Sequence, residues 1–209
     1  MNKLIKLMIL ATSFLTSVAM ADDWWTDIKN DRVSEVTQAL AQRKNPNSFS
    51  QEGHTAIIYA IRQNSHKVAM ALANDPATNV NQANRFDETP LMYAAITGDM
   101  QLAKLLIKRG AKVNRLGWAP LHYAASKGQK EMVAFLLAQG AFPNAPAADG
   151  SSPLLLAVTS RNPEVVQALL DAGADPRAIN QQGKSALSVA KEMQLDSIVN
   201  LLEAHAMMR

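Results

Sequence analysis

Apolar residues along this chain recur in short bursts at helical spacing. They group as Leu102, Leu105 and Leu106; Met132, Val133, Leu136 and Leu137; Val165, Val166, Leu169 and Leu170; and Ile198, Leu201 and Leu202. Each burst fits one face of a helix of two to three turns. Three of them close on a glycine followed by alanine and a polar loop: "GAKVN" from Gly110, "GAFPN" from Gly140 and "GADPR" from Gly173. A second set of segments precedes them, "GHTAIIYAIRQN" from Gly53, "DETPLMYAAITG" from Asp87, "GWAPLHYAASKG" from Gly117, "GSSPLLLAVTSR" from Gly150 and "GKSALSVAKEMQ" from Gly183. Their starts differ by 34, 30, 33 and 33 residues. A repeat of this length predicts one supersecondary unit stacked on its neighbours, here a turn, two helices and a return loop.

The ends of the first helices are written in residue types. Thr55, Thr89, Ser152 and Ser185 stand where a hydroxyl can accept from an unpaired first-turn N–H. Pro90, Pro120 and Pro153 follow at the first helical position, where a missing N–H costs nothing. Ala60, Ala94, Ala124, Ala157 and Ala190 recur at one register, as expected where backbones approach closely. Gly98 and Gly128 suit a left-handed helix end, and Asn64 can substitute; Arg161 and Gln194 are poorer residues for it.

The period together with the Thr-Pro-Leu-His-x-Ala-like core resembles the ankyrin repeat, from about Trp24 to Ala206. The resemblance implies an all-α solenoid of helix-turn-helix units with hairpin-like loops. Its repeats fall at about 51–84, 85–114, 115–147, 148–180 and 181–206, after a degenerate one at about 24–50 that lacks the leading turn. Trp24 and Trp25 are expected to cover one end of the stack. Lys191, Glu192, Glu203 and His205 supply polar substitutions for the other.

The resemblance further implies a non-enzymatic scaffold, taken to be a monomer, that binds a protein through its concave face and loop tips. At the matching positions the residues that stand out are Arg85, Phe86, Glu88, Ile96, Arg115, Leu116, Trp118 and Lys127. Large apolar groups beside arginine and lysine have the composition of an interface hot spot. Three residues are missing from the loop between Asn114 and Gly117, which leaves a notch beside neighbouring loops. Trp118 either folds back to fill that space or lines it for a partner.

Composition narrows the setting. "MNKLIKLMILATSFLTSVAMA" places Lys3 and Lys6 before an apolar run that ends in a small-x-small triplet, the form of a signal peptide cleaved after Ala21. Without it, 19 basic residues face 18 acidic ones over residues 22–209, too little positive charge for nucleic-acid binding. There is no cysteine, hence no disulfide or thiolate chemistry. A periplasmic protein is expected, with release from the cell as an effector that binds a host protein as the alternative. Lys104, Lys108, Arg109, Lys112 and Arg115 make the second repeat basic and read as a solvated face.

Catalytic and metal chemistry finds little support. The four histidines, His54, His66, His122 and His205, have no ligand spacing, so neither a metal nor another cofactor is expected. Ser188-x-x-Lys191 has the spacing of a nucleophile and base one helical turn apart, but no companion motif accompanies it. His122 alone sits in a Pro-Leu-His motif. In the ankyrin pattern its partner is a threonine three residues earlier; Ala119 stands there instead. It is read as a structural residue that bonds to backbone.

Overall fold

The computed structural model describes residues 24–207. The expected signal peptide lies outside them. The described residues form twelve helices, in pairs: α1 (Trp24–Lys29) and α2 (Val33–Ala41), α3 (Ala56–Arg62) and α4 (His66–Asn74), α5 (Pro90–Thr97) and α6 (Met100–Lys108), α7 (Pro120–Ser126) and α8 (Lys130–Ala138), α9 (Pro153–Thr159) and α10 (Pro163–Asp171), and α11 (Ala186–Glu192) and α12 (Asp196–Met207). Among these residues there is no strand, and no helix is long and apolar enough to cross a membrane. Helices of seven to nine residues are too short to persist alone, so their stability comes from packing.

Two compact units divide at Asp87 and Glu88. In the first, α1 packs on α2 and α3, α4 packs on α2 and α3, and Trp25 meets Tyr59 edge-on at 5.3 Å. Trp24 is buried. The segment before the first full repeat therefore holds both helices of a pair, although the sequence marks only the second by its apolar stripe. In the second unit the first helices α5, α7, α9 and α11 form one row, and α8, α10 and α12 pack in sequence in another. The recurring Ala60, Ala94, Ala124, Ala157 and Ala190 are fully buried, as their register predicts.

Helix termini follow the sequence in part. Ser152 Oγ accepts from Leu155 N at 3.2 Å, and Ser185 Oγ from Ser188 N at 3.1 Å. Thr55 and Thr89 do not cap: both hydroxyls are buried without a hydrogen-bond partner among the described residues. The imidazole that the ankyrin pattern puts three residues on is Ile58 in one case and Met92 in the other, so neither hydroxyl meets it. The first helices all end in the left-handed region, Asn64, Gly98 and Gly128 at φ of 61°, 71° and 66°, but also Arg161 at 58° and Gln194 at 56°. The fold holds those two side chains in a conformation that costs about 1 kcal/mol or more.

Asparagines link successive loops within each unit. Asn47 Nδ2 donates to Ala77 O and its Oδ1 accepts from Asn79 N, both at 2.8 Å. In the second unit Asn114 bridges Gly140 O (2.7 Å) and Phe142 N (3.0 Å), and Asn144 bridges Gly173 O (2.9 Å) and Asp175 N (2.7 Å). At the next position Arg177 reaches Ala206 O at the end of α12 instead. Each asparagine supplies one donor and one acceptor to backbone that would otherwise lack partners.

Candidate functional site

Between the helix pairs the chain makes tight fingers. At 50–54, 147–151 and 180–184 the first residue's N–H donates to the carbonyl of the last, at 2.8 to 2.9 Å, with a left-handed glycine at the tip. Neighbouring fingers also pair: Arg85 N donates to Gly53 O in the first unit, and Gln181 N to Asp149 O in the second. The third finger is different. Asn114 and Gly117 are three residues apart, whereas Asn47 and Gly53, and likewise Asn144 and Gly150, are six apart.

The expected site residues divide between the units. Arg85 and Phe86 belong to the first; Phe86 is 65% exposed, and its ring lies tilted 5.6 Å from the buried His54. Glu88, Ile96, Arg115, Leu116, Trp118 and Lys127 belong to the second. There, Leu116 is 96% exposed and Lys127 is exposed, while Glu88, Ile96, Arg115 and Trp118 are half-buried. Of the basic residues in the second repeat, Lys104, Lys108 and Lys112 are exposed and Arg109 and Arg115 half-buried.

Glu88 is the polar centre of this region. Its carboxylate accepts from two phenols on adjacent first helices, Tyr93 Oη at 2.6 Å and Tyr123 Oη at 3.2 Å. Burial, reinforced by the Glu88 charge, pushes the Tyr123 phenol up to about 12. The hydroxyl therefore stays protonated at neutral pH and keeps donating. The Trp118 ring lies tilted against Tyr123 at 5.1 Å and against His122 at 5.8 Å. The ring thus rests on α7 and leaves one part in solvent.

The two tyrosines were not singled out by sequence. The signal was present: "MYAA" and "HYAA" put them at one register of consecutive first helices.

His122 is fully buried and bonded at both ring nitrogens. Ala119 N donates to Nδ1 at 3.0 Å, and Nε2 lies 2.8 Å from Ala145 O. A carbonyl can only accept, so Nε2 carries the proton and the ring is neutral. Desolvation by burial lowers its pKa, against the pull of the bond to Ala145 O. Its role is to fasten the start of α7 to the loop that closes the same repeat. Ser188 and Lys191 are occupied as well: Ser188 Oγ accepts from Ser185 N at 2.9 Å and donates to Ser185 O, and Lys191 Nζ pairs with Glu203 at 2.8 Å.

Beside the short finger lies a cleft of about 580 Å³, bounded by residues 114–117 on one side and by Phe142 and residues 145–148 on the other. It corresponds to the notch expected from the missing residues. Trp118 neither fills nor lines it.

Comparison with known proteins agrees with this architecture. The family description "Ankyrin repeats (3 copies)" matches residues 75–147, and "Ankyrin repeat" matches residues 149–181. The chain is similar to the crystal structure of an ankyrin repeat domain from Acinetobacter baumannii AYE, at 27% identity and a TM-score of 0.76, over 88% of this chain and 97% of that one. A search of curated proteins finds no match. The repeat length, the paired helices, the fingers and these matches together place the chain in the ankyrin-repeat family.

Proposed function

We propose that this protein is a non-enzymatic scaffold, exported to the periplasm through its N-terminal signal, which captures a partner protein on the surface shared by the second and third repeats, in its second unit. Ankyrin repeats are general protein–protein interaction modules, and that is the starting point. The observation that carries the reading furthest is the Glu88, Tyr93, Tyr123 and Trp118 cluster. Two phenols hold one carboxylate in place while an indole rests beside them, partly exposed. Such a group is rigid before a partner arrives, so binding orders few side chains. Tryptophan and tyrosine are also the residue types that dominate interface energies.

The residues that invite an enzymatic reading support the scaffold instead. Both nitrogens of His122 are committed to backbone, and Ser188 and Lys191 serve a helix cap and a surface ion pair.

The test is capture from a periplasmic extract by the immobilised mature chain, beside its Ile96→Asp and Lys127→Glu variants. The expected result is a partner retained by the wild type and weakened several-fold by each substitution, with helicity unchanged. Absence of any retained partner, or equal retention by all three chains, overturns the reading. Fractionation that finds the protein only outside the cell would favour a secreted effector.

A further inference from the structure

We infer that the cleft beside the shortened third finger is a docking groove for an extended segment of the partner protein, about three residues long, with a large apolar side chain next to an aspartate or glutamate. The inference rests on the scaffold reading and names what this part of the surface takes.

The walls are fixed before anything binds. Asn114 bridges to Gly140 O and Phe142 N, and His122 Nε2 donates to Ala145 O. These bonds join the two sides of the cleft, so its width is set by the fold.

The lining is mostly apolar. Leu116 is 96% exposed and Phe142 62%, Pro146 is exposed, and the half-buried Ala145 and buried Ala147 lie behind them. Two large side chains on the lining stand largely in water, and covering them with apolar surface is favourable. A partner's apolar side chain supplies that cover.

The shape fits extended chain. Where the fourth and fifth fingers lie side by side, Gln181 N donates to Asp149 O, so adjacent fingers meet backbone to backbone. The third finger is short by three residues, and three extended residues span about 10 Å. The space is that of the absent finger segment, and an incoming strand replaces it. The single charged residue on the lining is Arg115. A guanidinium carries five N–H donors in a planar fork and can take a carboxylate in addition to its existing contacts. This selects an acidic neighbour for the apolar side chain.

The probe is a pool of acetylated, amidated pentapeptides with an apolar residue (Leu, Ile, Phe or Trp) followed by Asp at the centre, and a matched pool with Lys in place of Asp. Each is titrated into ¹⁵N-labelled mature protein. The Asp pool should shift the amides of residues 114–117 and 142–148, and the Lys pool should bind at least fivefold more weakly. Leu116→Asp, at a position too exposed to affect folding, should abolish the shifts. Inserting Gly-Asn-Gly between Arg115 and Leu116, which restores the six-residue spacing, should do the same.

Equal binding of the two pools, shifts confined to other residues, no shift at all, or binding unaffected by Leu116→Asp overturns the groove. The scaffold reading is judged separately. If the wild type and Leu116→Asp capture the same partner equally from extract, the groove is wrong and the scaffold stands; if the wild type captures nothing, the scaffold fails whatever the peptides do.

Discussion

The third and fourth repeats both start their first helices from extended backbone and secure them in opposite ways. At the fourth, the finger is full length, and Ser152 Oγ caps the helix locally by accepting from Leu155 N. At the third, the finger is short and Ala119 has no hydroxyl to offer. Its N–H instead donates to His122 Nδ1, and the same imidazole donates from Nε2 to Ala145 O, 23 residues away. One repeat is held by a hydroxyl with no charge to change, the other by an imidazole whose burial lowers its pKa. The missing local cap is therefore compensated by a link from the start of the repeat to its closing loop, and that link also anchors one wall of the cleft.

Breaking the link should have the largest effect. His122→Ala orphans the Ala119 N–H and the Ala145 carbonyl and leaves a cavity, which together cost about 3–4 kcal/mol in urea denaturation. Acidification comes next. The folded pKa of His122 is lowered, so the unfolded chain takes the proton first. This contribution to stability is intact above the ordinary value of 6.5, falls as pH drops below it, and levels off below the folded pKa. Unfolding midpoints measured from pH 7.5 downward should show that slope, and His122→Gln should remove it.

Ser152→Ala, the matching change in the fourth repeat, should cost only about 1 kcal/mol with no such pH dependence. The smallest effect is a gain: Arg161→Gly at φ 58° should add roughly 0.5–1 kcal/mol, read as a raised Tm.

The architecture was legible because it is periodic. Buried alanines and glycine-ended helices recur about every 33 residues, and each copy reinforces the next. Thr55 and Thr89 misled because a capping residue type does not ensure the cap: Ser152 caps onto the backbone of an equally apolar Leu155, whereas both threonine hydroxyls are buried without a hydrogen-bond partner among the described residues. The shortened finger was visible as a change in spacing. Its opposite wall was not, since Asn114 bonds to the Phe142 backbone across 28 residues of chain. The Glu88 clamp lay out of reach for the same reason: Tyr123 meets it across 35 residues of chain. Phe86 and Arg85 were grouped in sequence with Leu116 and Trp118, but the structure places them in the other compact unit.

The central claim is that the surface shared by the second and third repeats binds a protein, and the affinity of the captured partner for the wild type and for Trp118→Ala tests it most directly. With circular dichroism showing equal helicity, the account predicts at least a thirtyfold rise in Kd, the equivalent of about 2 kcal/mol for a truncated aromatic anchor. An unchanged Kd would contradict it.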